Sequence, residues 1–321
     1  SSSSVTPVRT SPVRASTAAR SLAARVGSRL VTSPTSHDPP LVLLFSKDRA
    51  IQLELFLPSY AQHMSTPLPL TVMYRASTEA HRQAYEEVFA NYRGSEFVAV
   101  AETSFKPDLL AVLKASNARH VIFFVDDIVF IQPVDTRLLE QWDPRDGILS
   151  LRLGRNITHS YNRGGIEQPQ PASFESATLG EQPLARWRWS TGTLDWSLPT
   201  SLDGHLLPLP DLIPVIEQAN FKAPNSLEGA IGQYKFLFKW RWGYCWERAR
   251  IMNLPLNTVK TEDYDFPHQG LDAEQLLAAF QQGMRLDISE LPLAEHNSCH
   301  MAWTPALRPV AEAAAGTATA P

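Results

Sequence analysis

Long apolar runs are scarce in this chain. The longest, Leu41–Phe45 and Val121–Val125, fall far short of the roughly 20 residues that a membrane-spanning helix needs, so no transmembrane segment is expected. Cysteine is nearly absent as well. Cys245 and Cys299 are the only two, and without C-x-x-C spacing they argue against a zinc site or a disulfide framework, leaving room for a single bridge between them. An excess of positive charge is also missing. The chain carries a formal −4, which argues against a general nucleic-acid binder. Several catalytic signatures are lacking too: there is no G-x-G-x-x-G, no P-loop, no G-x-S-x-G and no H-E-x-x-H. Their absence weakens dehydrogenase, P-loop, α/β-hydrolase and zincin readings.

What is present suits one large domain or two small ones: 321 residues, 44% of them hydrophobic, enough to bury a sizeable core. The charge is unevenly spread. Residues 1–37 contain Arg9, Arg14, Arg20, Arg25 and Arg29 and no acid, so that segment is +5 and the remainder −9 of the total −4. Residues 1–39 are rich in Ser, Thr, Ala, Arg and Pro and lack the apolar mass to fold alone. They read as a disordered arm or as an organellar transit segment, so the chain is expected in the cytoplasm or, in the second case, in an organelle. Residues 306–321 read as a loose tail, and residues 40–305 as the folded domain.

Within that domain short apolar runs alternate with amphipathic stretches. LVLLF (41–45), LPLTVMY (68–74), FVAVA (97–101) and VIFFV (121–125) read as strands. Ala50–His63, Glu79–Tyr92 and a segment from Pro107 through Ser116 read as helices. This alternation predicts an α/β domain with a mostly parallel central sheet flanked by helices. After Asp126 the rhythm changes. Residues 154–186 read as a long polar loop, and Asp272–Gln282 as a further helix. Asn156-Ile157-Thr158 is a glycosylation sequon that matters only on a secretory route.

Four constellations can carry chemistry. In FSKDR (45–49), after the first strand, Lys47 and Arg49 would lie at the carboxyl end of the sheet and meet phosphate, with Asp48 bonding a ribose hydroxyl or base edge. The plainer reading is a polar turn before a helix. In VIFFVDDIVF (121–130), five apolar residues deliver Asp126 and Asp127 to a strand end, where a diphosphate and a hard divalent cation need oxygen ligands; the plainer reading is a solvated turn. Glu228, in PNSLEGA (224–230), is placed to take a proton from an acceptor hydroxyl or simply to start a helix. His296 and His300 at i,i+4 share one face if the segment is helical and can reach a metal, though such pairs are often structural. The tryptophans divide between sugar stacking and core.

At these residues the chain resembles bacterial-type glycosyltransferases of the GT-A fold, similar to family 2, over about residues 40–303. The resemblance rests on FSKDR, SFKPDLL (104–110), VDDIVF (125–130), SLDG (201–204), PNSLE (224–228) and LNTVK (256–260), in that order. It implies a Rossmann-like single domain whose 40–150 half binds the nucleotide-sugar and whose 151–305 half receives the acceptor. The implied donor pocket comprises Ser46, Lys47, Asp48, Arg49, Arg75, Lys106 and Asp126. The implied metal ligands, for Mn²⁺ or Mg²⁺, are Asp126, Asp127 and His300. Glu228 and Asp203 are the implied catalytic acids, with Asp195 as a rival, and Trp189 and Trp196 the implied acceptor platform. The partners would be a nucleotide-sugar donor and a glycan, lipid or protein hydroxyl acceptor. The usual Asp-any-Asp pattern is broken by Ile128, which puts strict metal dependence in question. Two other functions share the scaffold: a non-catalytic nucleotide- or glycan-binding protein, and a sugar nucleotidyltransferase.

Overall fold

Strand β1 (Leu41–Lys47) is interior for most of its length, because parallel pairing on both sides covers both of its edges. It pairs in parallel with β2 (Leu70–Arg75) and β4 (His120–Val125), and β2 pairs in parallel with β3 (Phe97–Ala101). The connecting helices are α1 (Ala50–His63), α2 (Glu79–Asn91) and α3 (Phe105–Ala115). The description is a computed structural model covering residues 38–92, 96–257 and 271–310. The arginine-rich segment 1–37 lies outside the described residues, and so do the last three residues of the LNTVK motif.

Successive residues of a strand point to opposite faces, and the aromatics show how both faces are covered. Phe124 packs against Phe56 of α1, with ring centroids 5.5 Å apart. Its neighbour Phe123 stacks on Phe45 at 5.6 Å, and Phe45 meets Phe105 of α3 at 5.3 Å. Helices therefore flank the sheet on both sides. Thr78 caps α2 by accepting the His81 amide. Helix α3 begins two residues earlier than its proline suggested: Pro107 occupies the third helical position, still within the first turn where its missing N–H costs nothing.

The sheet continues past β4 to nine strands in the order β3-β2-β1-β4-β11-β6-β12-β10-β9. A short β5 (Ile128–Phe130) and helix α4 (Thr136–Gln141) lead into β6 (Ile148–Gly154). The small hairpin β7 (His159–Ser160) and β8 (Ile166–Glu167) follows, and then the hairpin β9 (Glu175–Leu179) and β10 (Gln182–Arg188). The stretch 154–186, expected to be a loop, thus supplies one edge of the sheet from Glu175 onward, while its first part carries only the separate two-residue hairpin β7–β8. β11 (His205–Pro208) runs antiparallel to both neighbours and β10 is antiparallel to β12 (Trp242–Trp246); the remaining strands share one direction. The sheet is therefore mostly parallel, with two reversed strands in its second half.

Helices α5 (Leu209–Gln218) and α6 (Pro224–Gly232) follow β11. β13 (Ile251–Asn253) pairs with β5. Helix α7 (Ala273–Gln281) starts with a reciprocal cap between Asp272 and Gln275. β14 (Met284–Asp287) then pairs with β15 (Ala306–Pro309), so the first residues of the expected loose tail form a strand. Cys245 and Cys299 are both buried and free. Among the described residues no helix is long and apolar enough to cross a membrane.

Candidate active site

The carboxyl ends of β1, β4 and β6 meet at one edge of the sheet. β11 is antiparallel, so the residues before it arrive at that same edge. Four segments distant in sequence thereby bring their charged side chains together.

The first group surrounds Asp126, which is 2% exposed. Ser46 Oγ donates to its Oδ2 at 2.7 Å and Arg49 Nη1 to its Oδ1 at 3.0 Å. Because the Ser46 proton goes to the carboxylate, the Tyr85 hydroxyl, 2.6 Å from Ser46 Oγ, donates to the serine, and Tyr85 in turn accepts the Arg49 amide at 3.0 Å. Arg49 Nη2 donates to the Asn257 carbonyl. Burial pushes Asp126 up to about 6, against the pull of Arg49, and the charge of Asp127 adds to the rise. Burial also raises Asp127, opposed by Arg49 and by Asn253, whose Nδ2 donates to Asp127 Oδ1 at 3.1 Å.

The second group surrounds Arg152, a guanidinium 4% exposed within the apolar strand β6. It lies 3.0 Å from Asp195 Oδ1 and 3.3 Å from Asp203 Oδ2, and donates to Ser201 Oγ at 2.7 Å. Ser201 passes its own proton to Glu228 Oε1 at 2.8 Å, which also accepts the Leu202 amide at 3.2 Å. Burial raises Asp203 to about 7; Arg152 opposes the rise, while Glu228 and Asp127 add to it. Asn253 donates to Asp127 and also favours the charged form of Asp203, so it lies between the two groups in one seam running from Arg49 to Glu228.

The expected residues therefore divide. Ser46, Arg49, Asp126, Asp127, Asp203 and Glu228 lie in the seam, as does Asp195. Lys47 and Arg75 sit opposite one another at the same edge, both exposed, with Arg75 paired to Glu102 at 3.2 Å. Asp48 takes a left-handed backbone (φ 55) and accepts the Ser77 amide at 2.6 Å and hydroxyl at 2.7 Å, so it fastens two strand-end loops together. Lys106 does not reach the site. Its ammonium caps the end of α5, donating to the carbonyls of Glu217 at 2.9 Å and Ala219 at 2.6 Å. Trp189 and Trp196 are 1% and 0% exposed and pack edge-on around Trp187 at 4.7 and 4.9 Å. They build the core and offer no face to a sugar.

His296 and His300 are not on a helix. His296 follows a short 3₁₀ turn, and His300 bridges Asn253 in extended backbone. Together with His159, Tyr161 and Met301 they line a cavity of about 210 Å³. His296 is fully engaged, with Nδ1 on the Leu293 carbonyl at 2.7 Å and Nε2 on the Asn156 amide at 3.0 Å. His300 Nε2 accepts from Asn162 at 3.2 Å. Burial holds both imidazoles below their ordinary range. The sequon residue Asn156 clamps this region: its Nδ2 bonds His296 and its Oδ1 accepts the Ala249 amide at 2.9 Å.

No family model matches the chain. Over 177 residues it is 24% identical to the bifunctional glycosyltransferase pgtA of Dictyostelium discoideum, a stretch that makes up 50% of this chain and 23% of that protein. The chain thus spans less than a quarter of the relative it matches. Among solved structures it overlaps TarS of S. aureus (13% identity, 66% of this chain and 36% of that one, TM-score 0.40) and the apo bifunctional enzyme WbbM (11%, 66% and 39%, TM-score 0.34). It also overlaps the mannosyltransferase PcManGT of Pyrobaculum calidifontis in complex with GDP-Man and Mn²⁺ (17%, 44% and 48%, TM-score 0.26).

Among the described residues no group of three or more His, Cys, Asp or Glu side chains is arranged to hold a metal ion. Each Asp126 oxygen accepts one hydrogen bond, from Ser46 or Arg49, and His300 Nε2 is turned toward Asn162. The expected triad of Asp126, Asp127 and His300 is not gathered into such a group. A lone carboxylate such as Asp127 suits a hard cation that arrives already carried by substrate phosphates.

Arg152, Ser201, Asn253 and Tyr85 complete the site and were not read from sequence. Arg152 carries a detectable signal, since a charge in the middle of ILSLRLG (148–154) must find buried partners. Asn253 carries none; its role depends on β13 lying beside β5.

Proposed function

We propose that the chain is a glycosyltransferase of GT-A type, moving a sugar from a nucleotide-sugar donor to a hydroxyl acceptor. The observation that carries this reading is the seam of acids and arginines, most of them buried, at the carboxyl edge of the sheet, where open α/β sheets bind ligands. The stretch resembling a bifunctional glycosyltransferase supports it. In this reading Lys47, Arg75 and Arg49 meet the diphosphate. Asp127 would hold a divalent cation brought with the donor, which would supply positive charge to the leaving diphosphate.

Of the two acids proposed to receive the acceptor proton, Asp203 is the better placed. Its proton affinity near neutrality suits a general base at pH 7. Glu228, on an exposed position of α6, is left to bond the acceptor. The acceptor is a glycan, lipid or protein hydroxyl.

A thermal-shift series with nucleoside diphosphates and nucleotide-sugars, with and without Mn²⁺, tests the reading. A bound donor in large excess over its Kd stabilises by roughly 2–3 kcal/mol. Absence of any shift across the series would remove the donor site. Pyrophosphate release from a sugar phosphate and a nucleoside triphosphate would instead favour a nucleotidyltransferase.

A further inference from the structure

The segment between α6 and β12 has a composition that the core does not require. Residues 233–241 carry Lys235, Lys239 and Arg241 together with Tyr234, Phe236, Phe238 and Trp240, and no acid, in a chain of net charge −4. The segment forms a short 3₁₀ turn, Lys235–Leu237, at the surface. One aromatic anchors it, since Phe238 is 0% exposed. Two others point outward: Phe236 is 37% exposed and Trp240 66%. The other seven tryptophans are buried or half-buried.

The cations around this tip are only partly neutralised. Arg241 is paired with Asp211. Lys235 and Lys239 form no ion pair among the described residues, and neither does Arg188, which donates to the Trp240 carbonyl at 2.7 Å and lies 3.6 Å from the Trp242 ring centroid. Lys239 Nζ sits 5.0 Å from the centroid of the Trp240 ring, and Phe236 stacks on Tyr234 at 6.3 Å.

Scattered exposed apolar residues are ordinary. A tryptophan and a phenylalanine held outward among unpaired cations, on an otherwise acidic molecule, are not. We propose that the 233–241 loop docks on the surface of an anionic lipid bilayer. Trp240 and Phe236 enter the headgroup boundary, where amphipathic aromatics are favoured. Lys235, Lys239 and Arg188 lay their apolar stems along it and their charges on the anionic headgroups. A neutral glycan is the weaker fit, because it would use the open face of Trp240 but leave the charges of Lys235, Lys239 and Arg188 without a partner. The inference rests on the surface alone and does not depend on the transferase reading.

The test is co-sedimentation of the full chain with phosphatidylcholine vesicles and with vesicles containing about 30% phosphatidylserine. The expected result is preferential partition onto the anionic vesicles. Each basic residue at such a surface is worth about fivefold, so Lys235→Ala/Lys239→Ala should lose about 25-fold and Trp240→Ala at least fivefold. Lys235→Arg/Lys239→Arg should retain binding. These side chains lie at the surface, so an unchanged melting temperature in each variant establishes that the fold is intact. Equal partition onto neutral vesicles, or none above background, overturns the proposal. So does unchanged partition in the alanine variants, which would place binding elsewhere, for instance in the arginine-rich segment 1–37 that all the variants share. Retention on an immobilised neutral glycan that is lost in Trp240→Ala, without vesicle binding, overturns it in favour of a glycan site.

Discussion

Arg152 holds the acceptor side of the site together. One guanidinium faces Asp195, Asp203 and, through Ser201, Glu228. Removing it leaves carboxylates buried without a counter-charge, and losing one partner of a buried ion pair costs about 3–5 kcal/mol. Arg152→Ala should therefore lower the urea midpoint sharply, and Arg152→Lys should recover only part of the loss because it cannot reach several partners at once. Wild-type stability after Arg152→Ala would show that the seam is solvated. Asp203 gives a second prediction with a definite sign. Its pKa rises from an ordinary 3.8 to about 7 on folding, so the folded state binds the proton more tightly. The resulting stability is fully present below pH 4 and is lost as pH rises through about 7. Asp203→Asn cannot ionise, so its stability relative to wild type should improve between pH 4 and pH 8. Over the same range, wild-type kcat/KM should rise through about pH 7, and the variant should lose about 10²-fold in turnover. A flat stability difference would show that Asp203 is not desolvated. Full activity in Asp203→Asn with a dead Glu228→Gln would move the base to Glu228.

At the scale of elements, the SLDG segment shows how a turn places an acid. Gly204 follows Asp203 with φ +70, donates its amide to the Phe123 carbonyl at 2.8 Å and accepts from the Leu151 amide at 2.9 Å. It thereby stitches β4 to β6 beside the seam. A Cβ here would lie 2.4 Å from Ile251 Cδ1 and 3.2 Å from the Phe124 ring. The left-handed backbone and the overpacking together should make Gly204→Ala cost about 2–4 kcal/mol. It should also reduce turnover more than its stability loss explains, because Asp203 moves with the turn. Loss of stability with unchanged kcat/KM would separate the turn from the site.

At the scale of the whole molecule, the C-terminal strand ties residues after 305 to the domain. β15 pairs with β14 along its full length, Leu286 is 5% exposed, and Leu307 packs against the core. Removing residues 306–321 strips β14 of its partner and should lower Tm by about 5 °C, the shift expected for one to two kcal/mol in a domain of this size. An unchanged Tm would return that segment to the loose tail read from its composition.

The alternation of apolar runs and amphipathic stretches by itself determined the parallel half of the sheet, because each strand and helix there carries its own period and α1 and β3 could be bounded to the residue. It also placed Asp126 and Asp127 at a strand end. Only the tertiary structure decided what those acids face. Arg49 and Ser46 hold Asp126, Asn253 holds Asp127, and a buried arginine gathers the acceptor-side acids across residues 152–228. It also decided that Trp189 and Trp196 are core and that residues 175–186 form paired edge strands joined by a tight turn. Local patterns report the period of a segment, whereas burial and charge pairing arise between segments far apart in sequence, and short polar strands at a sheet edge have no apolar run to announce them.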